Sequence, residues 1–279
     1  MRLFSLFSKS AAVYFPDATT FYKHKEGYET YKKIFTHLDI PFQELETNLS
    51  SGVEVFVEGY EQLARRIAND NYHALQKKGI KKIITTSPEC YYMLSQVYPT
   101  LVPQWDIVVD NIWAIILEHL EKRPQKIKYP LNETLTFHDN CYLGRYAKIY
   151  DEPRKIVQCI GCSIKEMDNN RGKSFCCGSC GGLPLIDKQT ADNLAKERLM
   201  QAKRIGIQKM VVTSFDNYQL LIEHAAATGI EVLELSQVLA QALRIKLTSV
   251  HSTANKEINN KQNTLVTMSQ EIIQGESDE

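Results

Sequence analysis

The chain repeats itself, and the repeat limits what it can fold into. Residues 63–94 read LARRIANDNYHALQKKGIKKIITTSPECYYML, and residues 190–221 read TADNLAKERLMQAKRIGIQKMVVTSFDNYQLL. Gly79 aligns with Gly206, Ser87 with Ser214 and Leu94 with Leu221, all at an offset of 127. Each copy places apolar positions at helical spacing (Ala64, Ile67, Ala68 and Leu75 in the first), then a glycine, then a β-branched run, KIITT or MVVTS, that reads as a buried parallel strand. AAVYF (11–15) and LTFHD (135–139) open the halves as further strands, and GIEVLELSQVLAQAL (229–243) closes the second as strand then helix. Strands alternating with helices imply parallel sheets covered on both faces. The expected fold class is therefore α/β: two pseudo-symmetric lobes from an internal duplication, each a mainly parallel sheet flanked by helices. The expected boundaries are 1–125 for the first repeat and 126–246 for the second, meeting in the link near Glu121–Asn132, with 247–279 as a polar, disordered tail. Sites in such lobes gather at the carboxyl ends of the strands, where TTSPEC and SFDNY fall.

The second unusual feature is SFCCGSCGGLPL (174–185), which crowds three cysteines and three glycines into seven positions. The chain has 7 cysteines, and all but Cys90 lie between Cys141 and Cys180. Clustering of that kind in a chain too large to need disulfide staples points to a ligand set in a reducing compartment, for a soft metal or an iron–sulfur cluster. Lys plus Arg and Asp plus Glu balance at 33 each, so no net field draws the protein to nucleic acid or acidic lipid. The longest apolar runs, such as WAIIL at 113–117, fall short of the roughly 18 residues a membrane span needs. The start, MRLFSLFSKS, lacks a secretory cleavage pattern, and the chain reads as cytoplasmic.

These residues resemble the CCG, or cysteine-rich domain, family, which includes a heterodisulfide reductase component and related iron–sulfur oxidoreductases. Each of two repeats in that family carries one cysteine, a spacer, Cys-Cys-Gly, a second spacer and Cys-x-x-Cys. Here HDNC ends on Cys141, and after 34 intervening residues come Cys176, Cys177 and Gly178. The resemblance covers residues 11–245. In the first half the skeleton survives without its thiols: Ala18 stands for the opening cysteine, Ser50 and Ser51 for the pair, and SPEC keeps only Cys90. Serine is a poor, hard ligand for iron or zinc, so an empty first site is implied. The second half has lost its final Cys-x-x-Cys to Ser214 and Asn217, yet Cys159, Cys162 and Cys180 appear outside the family pattern.

The candidate metal- and cofactor-binding residues are therefore Cys141, Cys176, Cys177, Cys162, Cys180 and Cys159. An iron–sulfur cluster, [4Fe–4S] or [2Fe–2S], would take Cys141, Cys176 and Cys177 with one or two of the others. Zinc is the rival, because Cys159-x-x-Cys162 and Cys177-x-x-Cys180 make a near-standard four-cysteine spacing. A redox dithiol in one Cys-x-x-Cys is a third reading. Arg145, Lys148, Arg154, Arg171 and Lys173 lie near the thiols in sequence and offer offsetting charge or a solvated basic face. His138 reads as a supporting residue and Cys90 as a buried apolar one.

The chain lacks both a ferredoxin cysteine run and a Gly-x-Gly-x-x-Gly fingerprint. The resemblance therefore implies an iron–sulfur subunit of a heterodisulfide-reductase-like complex, transferring electrons and acting in thiol/disulfide chemistry. Its partners would be a ferredoxin-like iron–sulfur subunit and a flavoprotein subunit. Two other readings stand beside it: a non-catalytic scaffold with a structural zinc or cluster, and a cysteine-rich subunit coupling a flavoprotein dehydrogenase to membrane quinone. In the last, MRLFSLF would serve as a small peripheral anchor at the inner face of the membrane.

Overall fold

The computed structural model describes residues 12–45 and 49–247. The expected tail from 248 onward and the apolar start MRLFSLF lie outside the described residues. The first half runs β1 (Ala12–Tyr14), α1 (Lys25–His37), β2 (Phe42–Glu44), α2 (Val53–Val57), α3 (Glu61–Lys77), β3 (Lys82–Ile84), α4 (Pro88–Tyr92), α5 (Tyr98–Leu101), β4 (Val108–Asp110) and α6 (Ile112–Lys122). A single turn at Pro124–Lys126 leads into the second half. This comprises β5 (Thr134–Phe137), α7 (Asp151–Cys159), β6 (Ser163–Ile164), α8 (Leu183–Ile186), α9 (Lys188–Arg204), β7 (Lys209–Val212), α10 (Phe215–Thr228), β8 (Glu231–Glu234) and α11 (Leu235–Leu243).

Both sheets have four strands, all parallel, in matching orders: β2-β1-β3-β4 and β6-β5-β7-β8. The duplication seen in the sequence is thus a duplication of topology. The register pairs Val13 with Ile83 in the first lobe and Thr136 with Met210 in the second. In each lobe the strand order reverses between the two central strands, and the crevice beyond their carboxyl ends is where such sheets place a ligand. Gly79 and Gly206 follow α3 and α9 with φ of 67° and 74°, a left-handed turn that a glycine enters without a Cβ clash.

The lobes share a core. One apolar cluster unites Tyr14, Ile34, Phe35, Trp113 and Ile116 of the first lobe with Leu135, Phe137, Ile156, Leu235 and Leu239 of the second, all at most 2% exposed. Helix α1 packs on α11, and α6 on α7. Phe215 at the start of α10 lies so close to Gly27 of α1 that a Cβ there would fall 2.0 Å from its ring. No helix among the described residues is long and apolar enough to cross a membrane.

Candidate metal centre

The site sits at the reversal point of the second sheet. Strand β5 ends at Phe137, and the chain then runs through His138, Asp139 and Asn140 to Cys141. Asn140 turns the backbone: its Oδ1 accepts from the N–H groups of Tyr142 (2.8 Å) and Leu143 (3.1 Å), capping the helical turn that carries Cys141. The loop holding Cys176, Cys177 and Cys180 comes to the same place from the other side. Gly178, at φ 87°, lies where any Cβ would meet the Ala191 carbonyl oxygen at 2.7 Å, so only glycine lets the loop press against α9.

A buried ion-pair bracket holds the approach to this loop. Arg154 binds Asp139 through both terminal nitrogens (2.6 and 2.8 Å) and Glu166 through Nε (2.6 Å). Asp139 in turn accepts from the Arg171 backbone N–H (2.6 Å), and Ser174 Oγ donates to the Asp139 carbonyl (3.2 Å). Of the basic residues singled out in the sequence, Arg154 is thus structural, and Arg171 pairs with Asp151 (2.7 Å). Arg145 is the one that reaches a thiol: its Nη2 lies 2.8 Å from Cys141 Sγ while its Nη1 holds the Ser174 carbonyl (2.9 Å).

Four thiols converge. Cys141 neighbours both Cys176 and Cys180, and the Cys180 thiol donates to Glu89 Oε1 at 3.9 Å. Cys177 Sγ is 3.4 Å from Ser179 Oγ and receives the Asn217 amide at 3.4 Å, and the Gly178 N–H points at Cys176 Sγ, also at 3.4 Å. Burial pushes Cys177 up to about 12. For Cys141 the neighbouring Cys176 thiol pulls downward, but the Cys180 thiol, with burial, outweighs it and leaves about 11. Cys176 rises well above the ordinary thiol range, first through its bond to Cys141. The protein alone therefore keeps these sulfurs protonated. A bound metal supplies the positive charge that lets clustered thiols ionise, so the donor set fits a soft metal centre.

Cys159 and Cys162 are not brought to this point. Cys159 ends α7, and Cys162 precedes β6 beside Glu133 and Lys209, where Ser163 pairs with Thr134 at the amino end of β5. Cys141 follows the carboxyl end of that strand, a separation of about 10 Å along the strand alone. The pairs Cys159/Cys162 and Cys177/Cys180 thus do not form one tetrahedron. A zinc–sulfur bond of about 2.3 Å requires sulfurs about 3.8 Å apart in every pair. Among the described residues no three thiols lie within 4.8 Å of one another; the group that does is Asp192, Glu223 and His224 on the surface, whose carboxylates Lys188 pairs.

Cys90 is buried, 1% exposed, and takes no part. His138 accepts from Arg198 Nε through Nδ1 (3.0 Å), and its burial lowers its pKa well below the usual value, so it is a neutral, supporting ring.

Sequence reasoning missed Glu89. It lies in the SPEC remnant of the first lobe, yet it crosses to the second, accepting from Asn140 Nδ2 (2.8 Å) and Ser214 Oγ (3.2 Å). Burial pushes it up to about 6. The signal available was its place: one residue before the only surviving cysteine of the degenerate motif. Asp17 and Asp216 line the same crevice. Thr20 and Thr19 are their hydrogen-bond donors, and burial raises both carboxyls above the usual range.

Residues 18–95 and 135–215 match the family model described as the CCG cysteine-rich domain. Among curated proteins, the chain is 30% identical over 223 residues to the probable iron-sulfur-binding oxidoreductase FadF of Bacillus subtilis, covering 77% of this chain and 31% of that one. It is 29% identical over 200 residues to a component of the dihydromethanophenazine:CoB–CoM heterodisulfide reductase of Methanosarcina barkeri, covering 70% and 49%. It is 25% identical over 197 residues to the EtfAB:quinone oxidoreductase of Syntrophomonas wolfei, covering 66% and 27%. The chain spans less than half the length of each of these relatives.

Proposed function

Because the chain belongs to the CCG cysteine-rich domain family, we propose that it is an iron–sulfur electron-transfer subunit of a heterodisulfide-reductase-like redox complex, with Cys141, Cys176, Cys177 and Cys180 as ligands. The observation that carries this reading is the convergence of those four thiols at the reversal point of the second sheet, linked through Cys141 and met by N–H donors from Gly178 and Asn217. The separation of Cys159 and Cys162 from these thiols removes the four-cysteine spacing that made zinc the rival, and this favours a multi-iron cluster. When bound, such a cluster supplies one-electron transfer. The residues around it hold the sulfurs in place, exclude water and offset charge through Arg145.

The first lobe carries carboxylates and hydroxyls where the family's other thiols would stand: Asp17 beside Ala18, and Ser87 with Glu89. A reaction that needs two facing clusters is therefore not assigned to this chain. The reading is a one-centre relay working with a ferredoxin-like iron–sulfur partner and a flavoprotein, in the cytoplasm or at the membrane's inner face. The resemblance to reductase and quinone-linked relatives supports that choice of partners.

The test is iron and acid-labile sulfide content, with a visible spectrum, on anaerobically purified protein. Iron with matching sulfide is expected; zinc without sulfide would overturn the reading in favour of a scaffold. Cys176→Ser and Cys177→Ser should each abolish the visible band, while Cys90→Ser and Cys159→Ser should keep it.

A further inference from the structure

Ser214 and Asn217 occupy the positions at which the resemblance places the second half's Cys-x-x-Cys. We propose that Asn217 has exchanged ligation for hydrogen bonding: its side-chain amide donates to the ligand sulfurs and raises the reduction potential of the centre. The inference rests on the four-thiol centre proposed above.

The direction of the Asn217 amide follows from a relay that starts at the backbone. Either end of an asparagine amide fits the same shape, so its partners must decide which end is oxygen. Tyr142 and Leu143 present backbone N–H groups to Asn140 at 2.8 and 3.1 Å, and a backbone N–H only donates, so the atom they meet is the oxygen. The Asn140 NH₂ must then face the other way, where Glu89 Oε1 and Asn217 Oδ1 both accept from it at 2.8 Å. Asn217 therefore presents oxygen to Asn140 and turns its own NH₂ toward the cysteine loop. There it finds Ser179 Oγ at 2.6 Å, Cys177 Sγ at 3.4 Å and Cys180 Sγ at 3.8 Å.

No solvent competes for these groups, since Asn140 is 1% exposed and Asn217 0%. Reversing either amide would set donor against donor, and each buried polar group left unsatisfied costs about 1–3 kcal/mol. Ser214 completes the exchange. It starts α10 in extended conformation without capping it, and gives its hydroxyl to Glu89 instead. The two positions that held ligands in the family pattern thus link the first lobe's Glu89 to the second lobe's sulfurs.

An N–H aimed at a thiolate stabilises the negative charge that the centre gains on reduction, and a dry site strengthens the effect. Losing the donor should shift the midpoint to more negative potential without removing a ligand. The experiment uses the full chain loaded with its cluster: iron and sulfide per chain, then midpoint potential by spectroscopic redox titration, for wild type, Asn217→Leu and Asn217→Asp. Leucine keeps the shape and removes the amide; aspartate keeps an acceptor for Asn140 and removes the N–H. Unchanged iron and sulfide with a negative shift in Asn217→Leu supports the proposal, and a shift confined to Asn217→Asp, whose carboxylate adds negative charge of its own, overturns it. Full loading with an unchanged midpoint overturns it, as does loss of the cluster from both variants, which would make Asn217 necessary for assembly. Wild-type protein without iron and sulfide would instead overturn the reading of function itself, a result distinguishable from the other two.

Discussion

At the scale of single residues, two glycines with similar backbone angles should respond differently to the same methyl group. Gly178 has φ 87°, and an added Cβ would fall 2.7 Å from the Ala191 carbonyl oxygen and 3.0 Å from its Cα, both backbone atoms that cannot move aside alone. Gly206 has φ 74° with nothing within 4 Å of that Cβ. Gly206→Ala should cost about 1–2 kcal/mol, the strain of the left-handed region alone. Gly178→Ala adds an overpacking term of about 1–3 kcal/mol and displaces the Cys176–Cys180 loop. Thermal melts should rank the two variants in that order. Iron content should fall in Gly178→Ala and stay unchanged in Gly206→Ala.

At the scale of elements, the junction of β8 and α11 concentrates a buried carboxyl that the helix needs as its cap. Glu234 accepts from the Ser236 N–H (2.7 Å) and from Tyr31 Oη of α1 (2.6 Å), while Gln237 Oε1 accepts from the Glu234 N–H (2.8 Å), completing a capping box. Burial outweighs these bonds and pushes Glu234 up to about 7 from an ordinary 4.5. A carboxyl whose folded pKa is raised binds its proton more tightly in the native state. Its contribution is therefore fully present below about pH 4.5 and is lost as pH rises toward 7. The loss is on the order of 3 kcal/mol. Urea unfolding of metal-free protein across that window should show wild type losing stability relative to Glu234→Gln as pH rises. Parallel curves for the two proteins would show that Glu234 ionises normally in the fold.

At the scale of the whole molecule, the two lobes behave as one body because they share a core and buried polar crossings, Tyr31 to Glu234 and both Asn140 and Ser214 to Glu89. Gly27 lies in that contact with no room for a side chain. The Phe215 ring on it is held by His24, stacked at 5.0 Å, and is 7% exposed, so it has little room to yield. Gly27→Ala should destabilise the protein by about 1–3 kcal/mol. Because Phe215 precedes Asn217 by two residues on α10, the same change should weaken retention of the metal centre. Urea unfolding and iron content measured on one preparation check both effects.

The sequence determined the plan by itself. Glycines past α3 and α9, β-branched runs and a 127-residue offset predict two parallel α/β lobes, and the structure has them. It did not reveal β2, β4 or β6, because these short edge strands hold no fully buried residue, unlike the equally short β1 and β3, and owe their existence to a neighbour's free edge. It marked six thiols as candidates without ranking Cys180 above Cys159 and Cys162, since spacing along a chain says nothing about which end of a strand each loop reaches. Only the tertiary structure made that choice. It seated Cys180 beside Cys141 and left the other pair at the amino end of β5. It also carried Glu89 across to a lobe 51 residues away in sequence, where a dry interior made its hydrogen bonds with Asn140 and Ser214 worth keeping.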